Sequence, residues 1–227
     1  MIIKADKETP LAKAMNKKEI KGFIRLLAKA RPDAKTELNY SSPYTLLVSV
    51  VLSAQATDIS VNKATNKLFK IASTPEAMVA LGEEKLVPFI NSIGLWRAKS
   101  RNVIALSKQL IENYNGQVPQ TREALEALPG VGRKTANVVL SVAFDQPAMA
   151  VDTHIFRIGN RTGLAPGKTP LDVEKNLVTN IPRELIAKSH HWLILHGRYC
   201  CKAKKPECWH CPVVQICHYQ DKNISPF

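Results

Sequence analysis

An all-α fold is what this 227-residue sequence predicts. Three observations carry the prediction. Apolar residues recur at spacings of three and four with polar residues between, as in "LVPFINSIGL" from Leu86 and "NVIALSKQLIENY" from Asn102. A hydroxyl residue stands directly before proline at Ser42-Pro43, Thr74-Pro75 and Thr169-Pro170, which is the signature of an N-cap followed by a first helical proline. No stretch sustains the apolar–polar alternation of a strand, and the Asn115-Gly116 pair follows a helix-like run rather than joining two strands.

Each element can be justified along the chain. The stretch "YTLLVSVVLSAQ" (Tyr44 to Gln55) is apolar nearly all round, so it reads as a buried central helix. Thr74-Pro75 opens the helical run that leads into "LVPFINSIGL". Thr169 and Asp172 have the spacing of a capping box. The remainder reads as helices of about 8–18 residues joined by short loops. There is no period of a solenoid and no low-complexity linker. A length of 227 residues with 45% hydrophobic side chains is enough for one large or two small cores.

Charge narrows the function. Lys and Arg number 32 against 19 Asp and Glu, a net charge of +13, and such a surplus suits a polyanionic partner. No segment approaches the roughly 20 apolar residues of a membrane span. The opening "MIIKADKETPLAKAMNKKEIKG" has no apolar h-region or small-residue cleavage site, so a soluble, non-secreted, cytoplasmic protein is expected. Its five cysteines all lie between Cys200 and Cys217, unlike a disulfide framework spread over a secreted fold, and so point to a metal in a reducing compartment. A monomer is expected, because docking one basic face on a polyanion needs no symmetry.

Two stretches carry chemistry. In "ALEALPGVGRKTANVVL" (Ala124 to Leu140) a helical run stops at Pro129-Gly130, a glycine returns at Gly132, and Arg133-Lys134 opens another helix. A phosphate-binding P-loop is excluded by the glycine spacing and by the helical character of "REALEAL". A plain turn remains open. So does a clamp for a nucleic-acid backbone: Gly130, Val131 and Gly132 would let the main chain approach closely, the next helix start offers free N–H groups, and Arg133 stands beside them. Such contacts position without reading sequence. Downstream, Asp152 begins "VDTHIFR", where an aspartate is often only an N-cap, just as a lysine in a first turn is usually solvated. From Cys201 the tail reads C-x6-C-x2-C-x5-C. Four thiolates so spaced can hold zinc or an iron–sulfur cluster, and ligand chemistry leaves both open. The spacing in "GLWRAKSR" suggests a phosphate face of Arg97, Lys99 and Arg101.

The motifs "LPGVGRKTA" and "VDTHIFR", together with "LSAQATD" and "HHWLILHGRYC", resemble the helix-hairpin-helix DNA glycosylase superfamily and, within it, the endonuclease III branch. The resemblance runs from about Glu37 to Tyr219, and the first fourteen or so residues fall outside it as an unassigned N-terminal extension. It implies two helical domains flanking a cleft. One is a six-helix bundle over 36–146 with the helix-hairpin-helix at about 121–144. The other joins 1–35 to 147–227 and carries an iron–sulfur cluster loop over 201–217. It also implies a bifunctional DNA glycosylase and apurinic/apyrimidinic lyase of base excision repair, acting on oxidised pyrimidines in double-stranded DNA. Lys134 would attack C1′, expel the base and form a Schiff base, after which β-elimination cuts 3′ to the abasic site. Asp152 would assist by electrostatics and proton transfer, facing Lys134 across the domain junction. A related adenine-removing branch lacks that lysine.

The same resemblance assigns a [4Fe–4S] cluster to Cys201, Cys208, Cys211 and Cys217, leaving Cys200 as a partly buried free thiol. Gln55 would fill the space vacated by the extruded nucleotide, and Leu95 would wedge the base stack. Lys202, Lys204 and Lys205 lie inside the cluster loop, where a phosphate contact would help. His154 reads equally as a capping or orienting residue and as a substrate contact, and His190, His191 and His196 read as structural. Asp58 caps the following helix or orients the pocket. Two other readings stay open: a monofunctional glycosylase, and a non-catalytic DNA-binding module with a structural metal.

Overall fold

Each helix start marked by a hydroxyl before proline is capped as the sequence predicts. In the computed structural model, which describes residues 12–225, Ser42 accepts from the Thr45 amide and Thr45 Oγ1 accepts back from the Ser42 amide at 2.9 Å. Thr74 accepts from the Ala77 amide at 3.2 Å. Thr169 and Asp172 close a capping box, with the Thr169 amide donating to Asp172 Oδ2 at 2.9 Å. These bonds satisfy amides that a helix start leaves orphaned. The described residues form α1 (Lys17–Ala30), α2 (Pro43–Ser53), α3 (Asp58–Leu68), α4 (Pro75–Ile90), α5 (Trp96–Tyr114), α6 (Arg122–Glu126), α7 (Arg133–Phe144), α8 (Thr153–Thr162), α9 (Pro170–Asn180) and α10 (Ile186–Tyr199). No strand occurs among them, and none of their helices is long and apolar enough to cross a membrane. The N-terminal residues 1–11, including most of the unassigned extension, lie outside the described residues, as do 226 and 227.

The chain divides into two compact units. Thr36–Gln146 makes one, holding α2 to α7. Its centre is α2, buried at every position from Tyr44 to Leu52, which is why that stretch has no polar face. Helices α3, α5 and α7 pack on it. The two buried hydroxyls of Tyr44 and Ser107 satisfy each other at 2.6 Å, tying α2 to α5, and burial raises the pKa of the Tyr44 phenol. Helix α4 is broken at Gly82, whose φ of 74° departs from the helix. It then ends at Ile90, so "LVPFINSIGL" is half helix and half loop.

The other unit joins the described residues up to Lys35 to those from Pro147 onward. Its core gathers Phe23, Ile24 and Leu27 of α1, Ile155 and Ile158 of α8, Val173 and Leu177 of α9, and Leu193 of α10. The Trp192 indole donates to the Arg31 carbonyl at 3.0 Å, so a long-range bond pins the end of α1 to α10. This core positions the first turn of α8 and the C-terminal cysteine loop.

Candidate functional site

The hairpin between α6 and α7 is built by two glycines that are glycine for different reasons. The chain leaves α6 at Ala127, buries Leu128 and turns, with the Val131 amide bonded to the Leu128 carbonyl at 3.1 Å. Gly130 has φ of 78°, a left-handed conformation, and a Cβ there would lie 2.7 Å from Asn102 Nδ2 and 2.9 Å from Asn102 Cβ. A plain turn accounts for it. Val131 is buried and plugs the hairpin from inside. Gly132 has φ of −97°, which any residue adopts, and a Cβ there would meet nothing within 4 Å. Nothing in the described chain requires a glycine at this position. An absent side chain with open space in front of it admits close approach by another molecule. Gly132 is also the N-cap of α7 and offers no side-chain acceptor to its first-turn amides. Arg133 and Lys134, the first two residues of α7, are both exposed.

Within the same unit, Gln55 and Leu95 stand in neighbouring loops. Both are left-handed, at φ of 56° and 61°. A side chain in that conformation costs about 1–2 kcal/mol, and such strain concentrates at functional positions. A Cβ on Gly94 would sit 3.7 Å from the Gln55 carbonyl oxygen, so the loops abut. Leu95 is 58% exposed, unusual for a large apolar side chain. Gln55 is exposed beyond the end of α2, not buried at the end of that helix as the sequence suggested.

Lys99 corrects the expected phosphate face. It is buried, and among the described residues its Nζ has no hydrogen-bond partner. Burial lowers its pKa. The reason is helical periodicity: Lys99, Val103, Leu106 and Leu110 form one stripe of α5 that faces the core. Arg97 lies over the Trp96 ring at 4.2 Å, and Arg101 is exposed.

In the other unit, Asp152 is the N-cap of α8. Its Oδ1 accepts from the amides of His154 and Ile155, both at 2.9 Å, and its Oδ2 meets His154 Nδ1 at 2.9 Å. The carboxylate is 11% exposed and held on both oxygens. His154 is pressed in place by α10, because Gly197 lies so close that a Cβ there would stand 2.8 Å from His154 Cβ. The orienting role expected for His154 thus has a direct geometric basis.

All five cysteines line one pocket, together with Arg161, His196 and Tyr219. Two arginines of α8, missed by sequence reasoning, hold its rim. Arg161 donates to the carbonyls of Lys202 at 2.6 Å and Ala203 at 2.9 Å, and it approaches Cys201 Sγ at 3.8 Å. Arg157 donates to the Cys201 and Gly197 carbonyls. Their i, i+4 spacing on α8 was visible, but their carbonyl partners were not. Burial pushes the Cys201 thiol up and the Cys217 thiol up to about 11. A hydrogen bond with Cys200, then burial, raises Cys211. Cys200 is buried rather than partly buried, and its Sγ approaches the Glu207 carbonyl at 3.6 Å. His196, buried on α10, has its Nε2 3.7 Å from Cys211 Sγ. Of the loop lysines, Lys204 and Lys205 are exposed, while Lys202 is bonded to Glu207, which also accepts from His210 at 2.7 Å.

The spacing of ligand atoms tests what this pocket can hold. A single zinc about 2.3 Å from each sulfur brings its thiolates to about 3.8 Å from one another. No three among Cys201, Cys208, Cys211 and Cys217 have their sulfurs mutually within 4.8 Å, among the described residues. The four thiols share one pocket without three of them being gathered around a single ion.

Comparison with known proteins follows the same lines. The sequence model of the HhH-GPD superfamily base excision DNA repair protein matches residues 48–183. Endonuclease III of Escherichia coli (strain K12) is 53% identical over 208 residues, covering 92% of this chain and 99% of that protein. The chain belongs to the endonuclease III family. A family member from Rickettsia conorii (strain ATCC VR-613 / Malish 7) is 55% identical over 197 residues, 87% of this chain and 94% of its own. Among solved structures, a trapped endonuclease III–DNA covalent intermediate superposes with a TM-score of 0.84 at 48% identity, covering 89% of this chain and 96% of that one. A non-covalent endonuclease III–DNA complex matches with the same score and identity over 89% and 95%. A thermostable thymine-DNA glycosylase, at 24% identity and a TM-score of 0.80 over 89% and 96%, shares the fold.

Proposed function

We propose that this chain is a bifunctional DNA glycosylase and apurinic/apyrimidinic lyase that removes oxidised pyrimidines from duplex DNA in the cytoplasm, working as a monomer. The observation that carries the reading is the hairpin: Gly132 has no reason inside the chain to be glycine, and it opens directly onto an uncapped helix start and the exposed Lys134. The kinship with an endonuclease III trapped covalently on DNA supports it.

Lys134 supplies the nucleophile. Its neutral amine forms a bond to C1′ while the base departs with the electrons of the glycosidic bond and takes up a proton. The amine then loses its proton, the sugar ring opens and an imine joins Nζ to C1′. Loss of a C2′ proton expels the 3′ phosphate, and water hydrolyses the imine to return free lysine. Asp152 stabilises the positive charge that develops on the sugar and imine. Two backbone amides and His154 hold its carboxylate in one rotamer. Gly130, Gly132 and Arg133 bind phosphate through main-chain amides and one cation, while Val131, whose amide is bonded to the Leu128 carbonyl, packs beneath them. Gln55 and Leu95 enter the duplex where the nucleotide leaves. Lys204 and Lys205 add phosphate contacts, with Lys202 held back by Glu207.

Cys201, Cys208, Cys211 and Cys217 would hold a [4Fe–4S] cluster, whose four thiolate ligands close it to substrate and make it a staple for the basic loop. Borohydride reduction on an abasic duplex tests the lyase. Wild type is expected to give a covalent adduct, and Lys134→Gln none while still binding the duplex. Excision by wild type without any adduct would make the enzyme monofunctional, and binding without excision would make it a DNA-binding module.

A further inference from the structure

The pocket contains a second group of ligands that shares only Cys211 with the four-cysteine pattern. Among the described residues, His196, Cys200 and Cys211 are the group of three whose ligand atoms all lie within 4.8 Å of one another. His196 Nε2 stands 3.7 Å from Cys211 Sγ, and Cys200 Sγ is in hydrogen-bond contact with Cys211. Helix α10 makes the trio possible. His196 and Cys200 are four residues apart at its C-terminal end, one above the other, and Cys211 folds back against both from the loop. His196 and Cys200 are buried, and Cys211 is half-buried. An imidazole and two thiols at this separation need only small movements to meet one ion, since tetrahedral zinc holds its ligand atoms about 3.3–3.8 Å apart.

We infer that His196, Cys200 and Cys211 form a second, mononuclear site for a borderline-soft divalent ion, zinc(II) by chemistry, that competes with the four-cysteine set. Binding exchanges two thiol protons for the ion: the Cys200 and Cys211 thiols leave as thiolates on zinc, His196 binds through neutral Nε2, and two protons go to solvent. Because Cys211 belongs to both sets, the two occupants exclude each other. Cys200 is the residue that separates them, since the four-cysteine set has no use for it. The chain therefore has two alternative metal states in one pocket, chosen by the metal supply during folding.

The site stands apart from the iron–sulfur assignment, and the test keeps the two distinct. The full-length Cys217→Ala chain loses one ligand of the four-cysteine set and none of the trio. Titrated with cobalt(II), it is expected to take up one ion with tetrahedral visible bands and a thiolate-to-cobalt charge-transfer band, displaced by zinc. Adding Cys200→Ala should weaken binding by more than about 10–100-fold, with helix content by circular dichroism unchanged. As a second measurement, unmutated protein from iron-poor, zinc-supplemented culture should carry one zinc per chain, and Cys200→Ala far less. Equal cobalt affinity with and without Cys200, or a folded Cys217→Ala chain with no thiolate–cobalt band, would overturn the proposal.

Discussion

Replacing Asp152 separates its two jobs, holding the start of α8 and placing a charge. Alanine removes an N-cap that serves two amides at 2.9 Å, worth about 0.5–2 kcal/mol. It also strips His154 Nδ1 of its partner, a loss of about 1 kcal/mol. Asp152→Ala should therefore cost about 1.5–3 kcal/mol of stability. Asparagine keeps an oxygen in the Oδ1 position, so the cap survives, and the imidazole can present its unprotonated nitrogen to the new amide. Asp152→Asn should cost less than about 1 kcal/mol and leave duplex affinity unchanged. What asparagine cannot supply is charge, and losing a preorganised electrostatic group slows the chemical step about 10²–10³-fold. Urea unfolding gives the stability arm, and single-turnover excision on a lesion-bearing duplex gives the rate. If asparagine destabilises as much as alanine, the cap reasoning is wrong. If it excises at the wild-type rate, Asp152 is only a cap.

The two hairpin glycines should part company in the same way. Gly130→Ala meets both a left-handed backbone and Asn102, so it should lose about 2–4 kcal/mol of stability in urea unfolding. Gly132→Ala should fold with unchanged stability yet bind duplex DNA more weakly; unchanged affinity would remove the case for close approach there. Lys99→Met should stabilise the protein by about 1–3 kcal/mol at neutral pH, because it removes a buried amine without a partner. The sign of its pH dependence follows from burial. The folded state depresses the pKa of Lys99, so below the folded value both states carry the proton and the full burial penalty stands, while between the folded and unfolded values only the unfolded chain holds it and stability rises with pH. The penalty fades as pH rises toward the unfolded value of about 10.4. The stability difference between Lys99→Met and wild type should therefore shrink across that alkaline window, and a constant difference would mean that packing rather than charge is responsible.

Short-range chemistry was the legible part of this protein. An N-cap is read within four residues, so Ser42, Thr74, Thr169 and Asp152 all announced the bonds they make. The seamless apolar run of α2 announced its burial. Lys99 could have been read too: counting four, seven and eleven residues onward reaches Val103, Leu106 and Leu110, which is a core stripe. The local motif "GLWRAKSR" drew attention to charge instead of period. Gly132 and Gly130 look alike in sequence, and only the presence of Asn102 beside one and open space beside the other tells their reasons apart.

The amino-acid order alone determined an all-helical chain, where several of its helices begin, a net basic charge, and a four-cysteine loop. Packing decided that two arginines of α8 hold the carbonyls of that loop, that His196 reaches Cys211, and that Cys200 has company. The division has one cause. Backbone amides and helical stripes are governed by neighbours a turn away, whereas these contacts join residues from 11 to 44 positions apart, brought together by whole helices packing on a shared core.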